Sequence, residues 1–93
     1  MAAKKYRKQV WFEGRVQGVG FRYKAVQLSK GYDVTGIVEN LDDGRVHLAA
    51  CGDAGEVEAF VADLKSAMSD YIRNAVENSD ETELRYDGFR IEL

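Results

Sequence analysis

The sequence has little of what metal centres, disulfide frameworks and nucleic-acid-binding surfaces require. Its single cysteine, Cys51, excludes an intramolecular disulfide and a cysteine-built metal site, and its single histidine, His47, argues against a histidine-rich metal centre. Positive charge is not in excess either, since the net charge is −3 at pH 7, whereas general nucleic-acid binding needs a basic surface. We therefore expect neither a metal site nor a nucleic-acid partner.

Long apolar runs are also missing. The lysines near the start, Lys4 and Lys5, are followed by no apolar run of signal-peptide type, and no segment approaches transmembrane length. We expect no membrane partner and a reducing, cytoplasmic compartment. With 93 residues, of which 45% are hydrophobic and 31% charged, the chain can bury one core but not two. A single domain over residues 1–93 is therefore expected.

What the sequence does have is a glycine-rich stretch between a predicted strand and a predicted helix. Gly14, Gly18 and Gly20 fall within seven residues, directly after the apolar residues 10–12. Glycine reaches positive φ and allows close backbone approach, so such a loop can point several N–H groups into one concavity. That concavity and the positive end of the following helix favour an anion. Arg22 lies at its mouth, with a guanidinium suited to bidentate contact with phosphate oxygens.

Taken alone, this glycine-rich stretch is not specific. No Gly-Lys-Ser/Thr follows at Walker A spacing, and Tyr23 stands where the dinucleotide fingerprint needs its third glycine. A plain glycine turn at a strand–helix joint, with Arg22 as a solvated charge, explains the residue types equally well. Both interpretations remain open on the residues alone.

Hydrophobic periodicity predicts the order strand, helix, strand, strand, helix, strand. Strands are predicted near residues 6–13, 34–39, 45–51 and 89–93, and helices near 20–30 and 53–68. A weaker strand is predicted over 71–77, ending in a polar stretch, and residues 84–86 are a candidate for a further extended segment. Asp53 followed by Glu56 resembles a capping box, and Asp43-Gly44 predicts a hairpin turn.

This element order predicts an α/β (α+β) ferredoxin-like sandwich. Two βαβ halves with right-handed crossovers, βαββαβ in all, give one antiparallel sheet that carries both helices on one face. No linker, repeat or low-complexity segment interrupts the pattern.

Asn40 is predicted where the second strand enters the hairpin turn, a position that can lie close to the glycine-rich stretch. A neutral amide there both donates and accepts hydrogen bonds, which suits orienting a water beside a bound phosphoryl group. Capping the backbone of its own turn is the other interpretation, and residue type alone favours it. His47 has no acidic partner at ligand spacing and is predicted to be a surface residue, while Trp11 is predicted to pack on the sheet.

Three stretches, residues 14–22, 36–46 and 84–91, resemble the two signatures and the C-terminal pattern of the acylphosphatases. The resemblance spans nearly the whole chain, with its two long motifs in register. Two residues depart from the family pattern, since Ile37 stands where many members have tryptophan and Asp42 where many have proline. Both flank Asn40 rather than replace it, so they bear on turn rigidity and rate.

The resemblance implies an acylphosphatase, a hydrolase that cleaves the carboxyl–phosphate bond of small acyl phosphates to a carboxylate and inorganic phosphate. It implies two catalytic residues, Arg22 for the phosphate and Asn40 for the nucleophilic water. The phosphate-binding loop that it implies contains Arg15, Val16, Gln17, Gly18, Val19 and Gly20. It also implies a monomer without metal or cofactor. Inorganic phosphate, the product, is expected to be a competitive inhibitor as well, because the loop recognises the phosphoryl group and not the acyl group.

Three other functions are compatible with this element order. The first is a non-catalytic ferredoxin-like module that binds a phosphorylated metabolite, which turnover of benzoyl phosphate would distinguish. The second, an RNA-recognition domain, needs stacking aromatics on its first and third strands, and the third strand here offers His47, Ala49 and Cys51 instead. The third is an accessory domain of a larger carbamoyl-phosphate-handling protein, although a chain ending at Leu93 is expected to be a free-standing enzyme.

Overall fold

The computed structural model describes residues 4–93, so residues 1–3 of the expected domain lie outside the described part. Residues 4–93 form five strands and two helices: β1 (Lys5–Gly14), α1 (Phe21–Ser29), β2 (Val34–Asn40), β3 (Val46–Gly52), α2 (Ala54–Ala67), β4 (Ile72–Thr82) and β5 (Phe89–Ile91). Neither helix of this described part is long and apolar enough to cross a membrane. The predicted order of elements and the ferredoxin-like class are confirmed.

The five strands form one sheet in the order β4-β1-β3-β2-β5. β1 pairs antiparallel with β3 and β4, and β2 pairs antiparallel with β3. β5 pairs parallel with β2, so the sheet is mixed and not wholly antiparallel as predicted. The reason is the path of the chain: β4 occupies one edge, and the chain then crosses to the opposite edge, where it runs in the direction of β2.

The core lies between the sheet and the two helices. On β1 the alternation of side chains buries Val10 and Phe12 fully on the helix-covered face. The apolar spacing of α2 buries Phe60 and Leu64 against them, and α1 contributes Phe21, which is 2% exposed. Burial of these large side chains is the main stabilising contribution, at about 1.5–3 kcal/mol for each.

A lysine interrupts the apolar row of β1 on this same face. Lys8 is only 9% exposed, and its ammonium group lies 2.8 Å from Glu58 Oε1 and 2.7 Å from Glu77 Oε1. A buried charge requires such partners, since desolvation alone would be costly. The hydrogen bonds from Lys8 and from the Tyr6 hydroxyl also lower the pKa of Glu58.

β4 continues beyond the predicted strand over residues 71–77 and ends at Thr82. Its polar half, which composition alone does not favour as a strand, pairs residue by residue with β1 from Gln9↔Asn78 to Lys5↔Thr82. Arg7 on β1 also forms an ion pair with Asp80 across this ladder, with Nη2 and Oδ2 2.6 Å apart. Cross-strand pairing therefore decides the length of β4. Residues 84–86, the other extended candidate, form no strand.

Candidate active site

The glycine-rich stretch forms a loop over residues 14–20, here called the glycine loop, that leaves the sheet against the backbone of Tyr71. At Gly14 a Cβ atom would lie 2.4 Å from the Tyr71 carbonyl oxygen, so only glycine fits there. The Arg15 N–H donates to that same oxygen at 3.0 Å. Val16, 1% exposed, anchors the loop in the core. The base of the loop is thus fixed on two sides.

The tip of the glycine loop turns through two left-handed residues, Gly18 with φ 77° and Gly20 with φ 79°. Gly20 is also the N-cap residue of α1, which has no side-chain cap and no acidic residue in its first turn. Within residues 4–93, the N–H groups of residues 16–20 donate to no backbone carbonyl. The loop tip and the start of α1 therefore present a group of unused donors, which is the arrangement that favours an anion.

A pocket of about 190 Å³ opens beside these donors. Its lining consists of Val16, Gly18, Gly20, Phe21, Arg22, Tyr23 and Asn40. Among these lining residues Arg22 carries the single charge, which is positive, although the whole chain has a net charge of −3. The one charge in the pocket lining is therefore opposite in sign to the net charge of the chain.

Arg22 differs from the other half-buried arginines of the described part. Arg7 binds Asp80, and Arg45 binds Asp43 with Nε and Oδ2 2.8 Å apart. Arg22 forms no salt bridge with any residue between 4 and 93. Its guanidinium donors consequently remain available to an anion in the pocket.

Asn40, the last residue of β2, brings an amide to the same pocket. It follows the buried Val38 by two residues, so both side chains lie on the helix-covered face. The Asn40 Oδ1 atom is buried and accepts no hydrogen bond within residues 4–93. This amide oxygen therefore does not cap the hairpin turn, which was the alternative that residue type favoured. A buried acceptor without a partner is uncommon and calls for a functional explanation.

Gln17 fixes the distance between the glycine loop and the hairpin turn (residues 41–45). Its Nε2 donates to the carbonyl oxygens of Leu41 (2.8 Å) and Arg45 (2.9 Å), one on each side of the turn. Within the turn, the Arg45 N–H donates to Asp43 Oδ1, which lowers the pKa of Asp43. Asn40 thus enters the pocket from a turn that is held at both ends.

The structure brings five of the predicted site residues into one pocket lining: Val16, Gly18, Gly20, Arg22 and Asn40. Three others lie outside it. The Arg15 side chain is exposed and its N–H is used by Tyr71, Gln17 reaches the hairpin turn, and Val19 packs against the core cluster.

Sequence analysis missed two features of this site. The first is Tyr23, which lines the pocket. The only feature of the sequence that could have indicated this is that Tyr23 directly follows Arg22. The second feature is the pair of hydrogen bonds from the Gln17 side chain, whose partners lie 24 and 28 residues away in the sequence. Local sequence patterns do not predict contacts at such a separation.

His47 is half-buried on the open face of the sheet and has the acidic partner that sequence analysis did not find. Its Nδ1 lies 2.7 Å from Glu39 Oε2 and its Nε2 lies 2.9 Å from Gln9 Oε1. Glu39 is directly opposite on β2, so pairing of the hairpin creates the contact. Trp11 stacks on His47 with ring centroids 5.0 Å apart, which confirms that this tryptophan packs on the sheet. No group of three or more His, Cys, Asp or Glu residues suited to a metal occurs within residues 4–93.

Comparisons with known proteins agree with this architecture. The family model described as Acylphosphatase matches residues 8–91. The chain is similar to the crystal structure of an acylphosphatase from Bacillus subtilis, with 27% identity, a TM-score of 0.84, and coverage of 95% of this chain and 99% of that one. An acylphosphatase from Coxiella burnetii shows 28% identity and a TM-score of 0.73, with coverage of 96% and 94%.

The same fold also occurs within a longer protein. HypF from T. kodakarensis is 25% identical with a TM-score of 0.76, and the match covers 97% of this chain but 12% of that one. The family model, in contrast, matches most of this chain, and both bacterial acylphosphatases match it over nearly their full length. The chain therefore belongs to the acylphosphatase family.

Proposed function

We propose that this protein is an acylphosphatase that hydrolyses the carboxyl–phosphate bond of small acyl phosphates to a carboxylate and inorganic phosphate. Membership of the family and the similarity to two bacterial acylphosphatases support acyl phosphate hydrolysis. One observation carries the assignment of residues. Arg22 and Asn40 line the same pocket, and within residues 4–93 Arg22 forms no salt bridge and the buried Asn40 Oδ1 accepts no hydrogen bond.

In the proposed mechanism, Arg22 and the free N–H groups of the glycine loop bind the phosphoryl oxygens. What supports this role is that three residues of the 16–20 segment line the pocket, that the N–H groups of 16–20 donate to no backbone carbonyl within residues 4–93, and that the start of α1 has no side-chain cap. The guanidinium adds a full positive charge. Phosphoryl transfer passes through a loose transition state, so positioning and charge complementarity supply most of the catalysis. The N–H of Arg15 takes no part, because Tyr71 already accepts its hydrogen bond.

Asn40 is proposed to orient the attacking water. Its buried Oδ1 accepts a hydrogen bond from the water, which directs the water's lone pair at phosphorus from the side opposite the acyl oxygen. The new P–O bond forms as the bond from phosphorus to the acyl oxygen breaks, and the carboxylate leaves with the electron pair. The water proton passes to a phosphoryl oxygen. A carboxylate is a good leaving group, so no general acid is needed.

The proposed enzyme needs neither a metal nor a cofactor, because Arg22 and the loop N–H groups provide the positive charge. We expect it to act as a monomer, as the family resemblance implies. The buried free thiol of Cys51 fits a reducing compartment such as the cytoplasm.

The test is hydrolysis of acetyl phosphate and benzoyl phosphate by the purified protein, with and without EDTA. We expect turnover of both substrates in the presence of EDTA, and competitive inhibition by inorganic phosphate because phosphate occupies the same donors. Phosphate binding without any turnover would contradict the proposal and favour the non-catalytic binding module instead.

A further inference from the structure

The pocket beside the glycine loop has more room than a phosphoryl group needs. Its volume of about 190 Å³ corresponds to about six waters, at about 30 Å³ of liquid volume each. When phosphorus lies beside the loop donors, the acyl group occupies the rest of the pocket and its mouth. The side chains at the mouth therefore decide which acyl groups are bound.

Tyr23 offers accessible apolar surface at this mouth. The other apolar side chains of the lining, Val16 and Phe21, are 1% and 2% exposed and belong to the core cluster. Phe21 packs on Phe12 with ring centroids 4.8 Å apart, so it cannot turn toward a ligand. The Tyr23 side chain is 75% exposed and does not pack against the core cluster.

The position of Tyr23 in the chain places it beside the reacting group. It follows Arg22 directly in the first turn of α1, and both residues line the pocket. The acyl carbon is separated from phosphorus by one oxygen atom, so a phosphoryl group held by Arg22 keeps its acyl part within reach of the other residues that line the pocket, among them Tyr23. Core packing does not explain an aromatic ring here, whereas contact with the acyl group does.

We propose that Tyr23 is the platform for the acyl group and makes the enzyme prefer aromatic acyl phosphates over acetyl phosphate. The inference rests on the proposed function and adds a specificity-determining residue to it. An aromatic acyl group stacks on the phenol ring and gains from both apolar contact and ring geometry. An acetyl group is too small to cover the ring and gains little. The phosphoryl group, bound inside the pocket, does not depend on Tyr23.

The test compares kcat/KM for benzoyl phosphate and acetyl phosphate in the wild type, Tyr23→Ala and Tyr23→Phe. Tyr23→Ala is expected to lower the value for benzoyl phosphate about three- to tenfold, as aromatic pairs contribute, with the value for acetyl phosphate unchanged. Tyr23→Phe keeps the ring and retains the preference. The matched control is Leu84→Ala, which removes a side chain 62% exposed in a different groove and should change neither value.

Two results would overturn the role of Tyr23: an equal loss for both substrates, or no loss for either. Binding of phenylphosphonate and methylphosphonate gives a second measurement that does not need turnover. We expect Tyr23→Ala to weaken phenylphosphonate selectively. If the wild type hydrolyses neither acyl phosphate, the proposed function fails, while the phosphonate comparison still decides whether Tyr23 is an aromatic platform.

Discussion

The two helices begin in opposite ways. α2 begins at Asp53, whose side chain accepts a hydrogen bond from the Gly55 N–H at 3.0 Å, and Glu56 lies in its first turn. α1 begins at Gly20 in the left-handed conformation, with no side-chain cap and no acidic residue nearby in the turn. Both helices have the same unsatisfied N–H groups and the same positive end. α2 satisfies one of these N–H groups with the carboxylate of Asp53, whereas α1 has no side-chain cap.

Because of this difference, the start of α2 has a structural role only, whereas the start of α1 is available to a ligand. The carboxylates of Asp53 and Glu56 would repel a bound anion, so α2 cannot serve as an anion site. At α1 the single charge in the pocket lining is that of Arg22, which adds to the helix field. A helix start without a side-chain cap lowers the stability of the protein. In an enzyme that hydrolyses acyl phosphates, the N–H groups left free there can bind the phosphoryl group.

The largest effect is expected from removing the charge at the uncapped helix. Arg22→Gln should lower kcat/KM for benzoyl phosphate about a thousandfold, as for arginines that stabilise transferring phosphoryl groups, and should also weaken inhibition by phosphate. The fold should persist, since Arg22 has no ion pair to lose within residues 4–93.

The matched control for Arg22 is Arg7→Gln, the loss of a half-buried arginine that has a carboxylate partner. The hydrogen bond from Arg7 holds the pKa of Asp80 below its ordinary value, so the ion pair stabilises the fold at pH values above the ordinary pKa of an aspartate. Arg7→Gln should lose this stability at neutral pH. Its activity per folded molecule should stay the same. Equal losses of activity in the two variants would show that Arg22 has no special role.

The next effect tests the backbone of the glycine loop. Gly18 has φ 77° and open space around a Cβ atom, so Gly18→Val is strained by its conformation alone, at about 1–3 kcal/mol. We expect the strain to move the loop N–H groups and to reduce affinity for inorganic phosphate, measured by calorimetry, with the fold retained.

Gly88→Val provides the comparison for this substitution. Gly88 has φ 69° and equally open surroundings, but it does not line the pocket. This variant should lose similar stability and no phosphate affinity. Wild-type phosphate binding by Gly18→Val would remove the glycine loop from the proposed site.

The smallest effect is expected at the capped helix. Asp53→Ala removes the hydrogen bond to Gly55 and should lower the free energy of unfolding by about 1 kcal/mol in urea titrations. Affinity for phosphate should not change, because α2 has no part in the pocket. A clear loss of phosphate affinity would mean that the two helix starts are not functionally separate.

Much of the fold could be predicted because local patterns determine it. Alternation on β1 and the helical spacing of α2 place Val10, Phe12, Phe60 and Leu64 in the core, as observed. Partnerships between distant residues could not be predicted this way. The length of β4 depends on its pairing with β1, and the parallel β2–β5 pair depends on the path between sheet edges.

The capping box of α2 shows the same limit on a smaller scale. Asp53 caps the helix as predicted, but Glu56 does not complete the box, because its Oε1 accepts a hydrogen bond from the Asp33 N–H at 2.8 Å. A residue 23 positions away thus competes for the side chain. In the candidate site, the family resemblance singles out Arg22 and Asn40, which residue types alone do not. The shared pocket and the free Oδ1 are visible only in three dimensions.

In the proposed mechanism Asn40 acts on water and not on phosphate, and the variant Asn40→Ala distinguishes these two roles. The measurement is kcat for benzoyl phosphate together with the inhibition constant for inorganic phosphate and the free energy of unfolding. We predict that kcat falls about a hundredfold, as when one orienting hydrogen-bonding group is removed, while the inhibition constant stays the same. Stability should not fall, because the substitution removes a buried Oδ1 that has no partner within residues 4–93. Normal turnover, or a loss of kcat matched by an equal loss of phosphate affinity, would contradict the account.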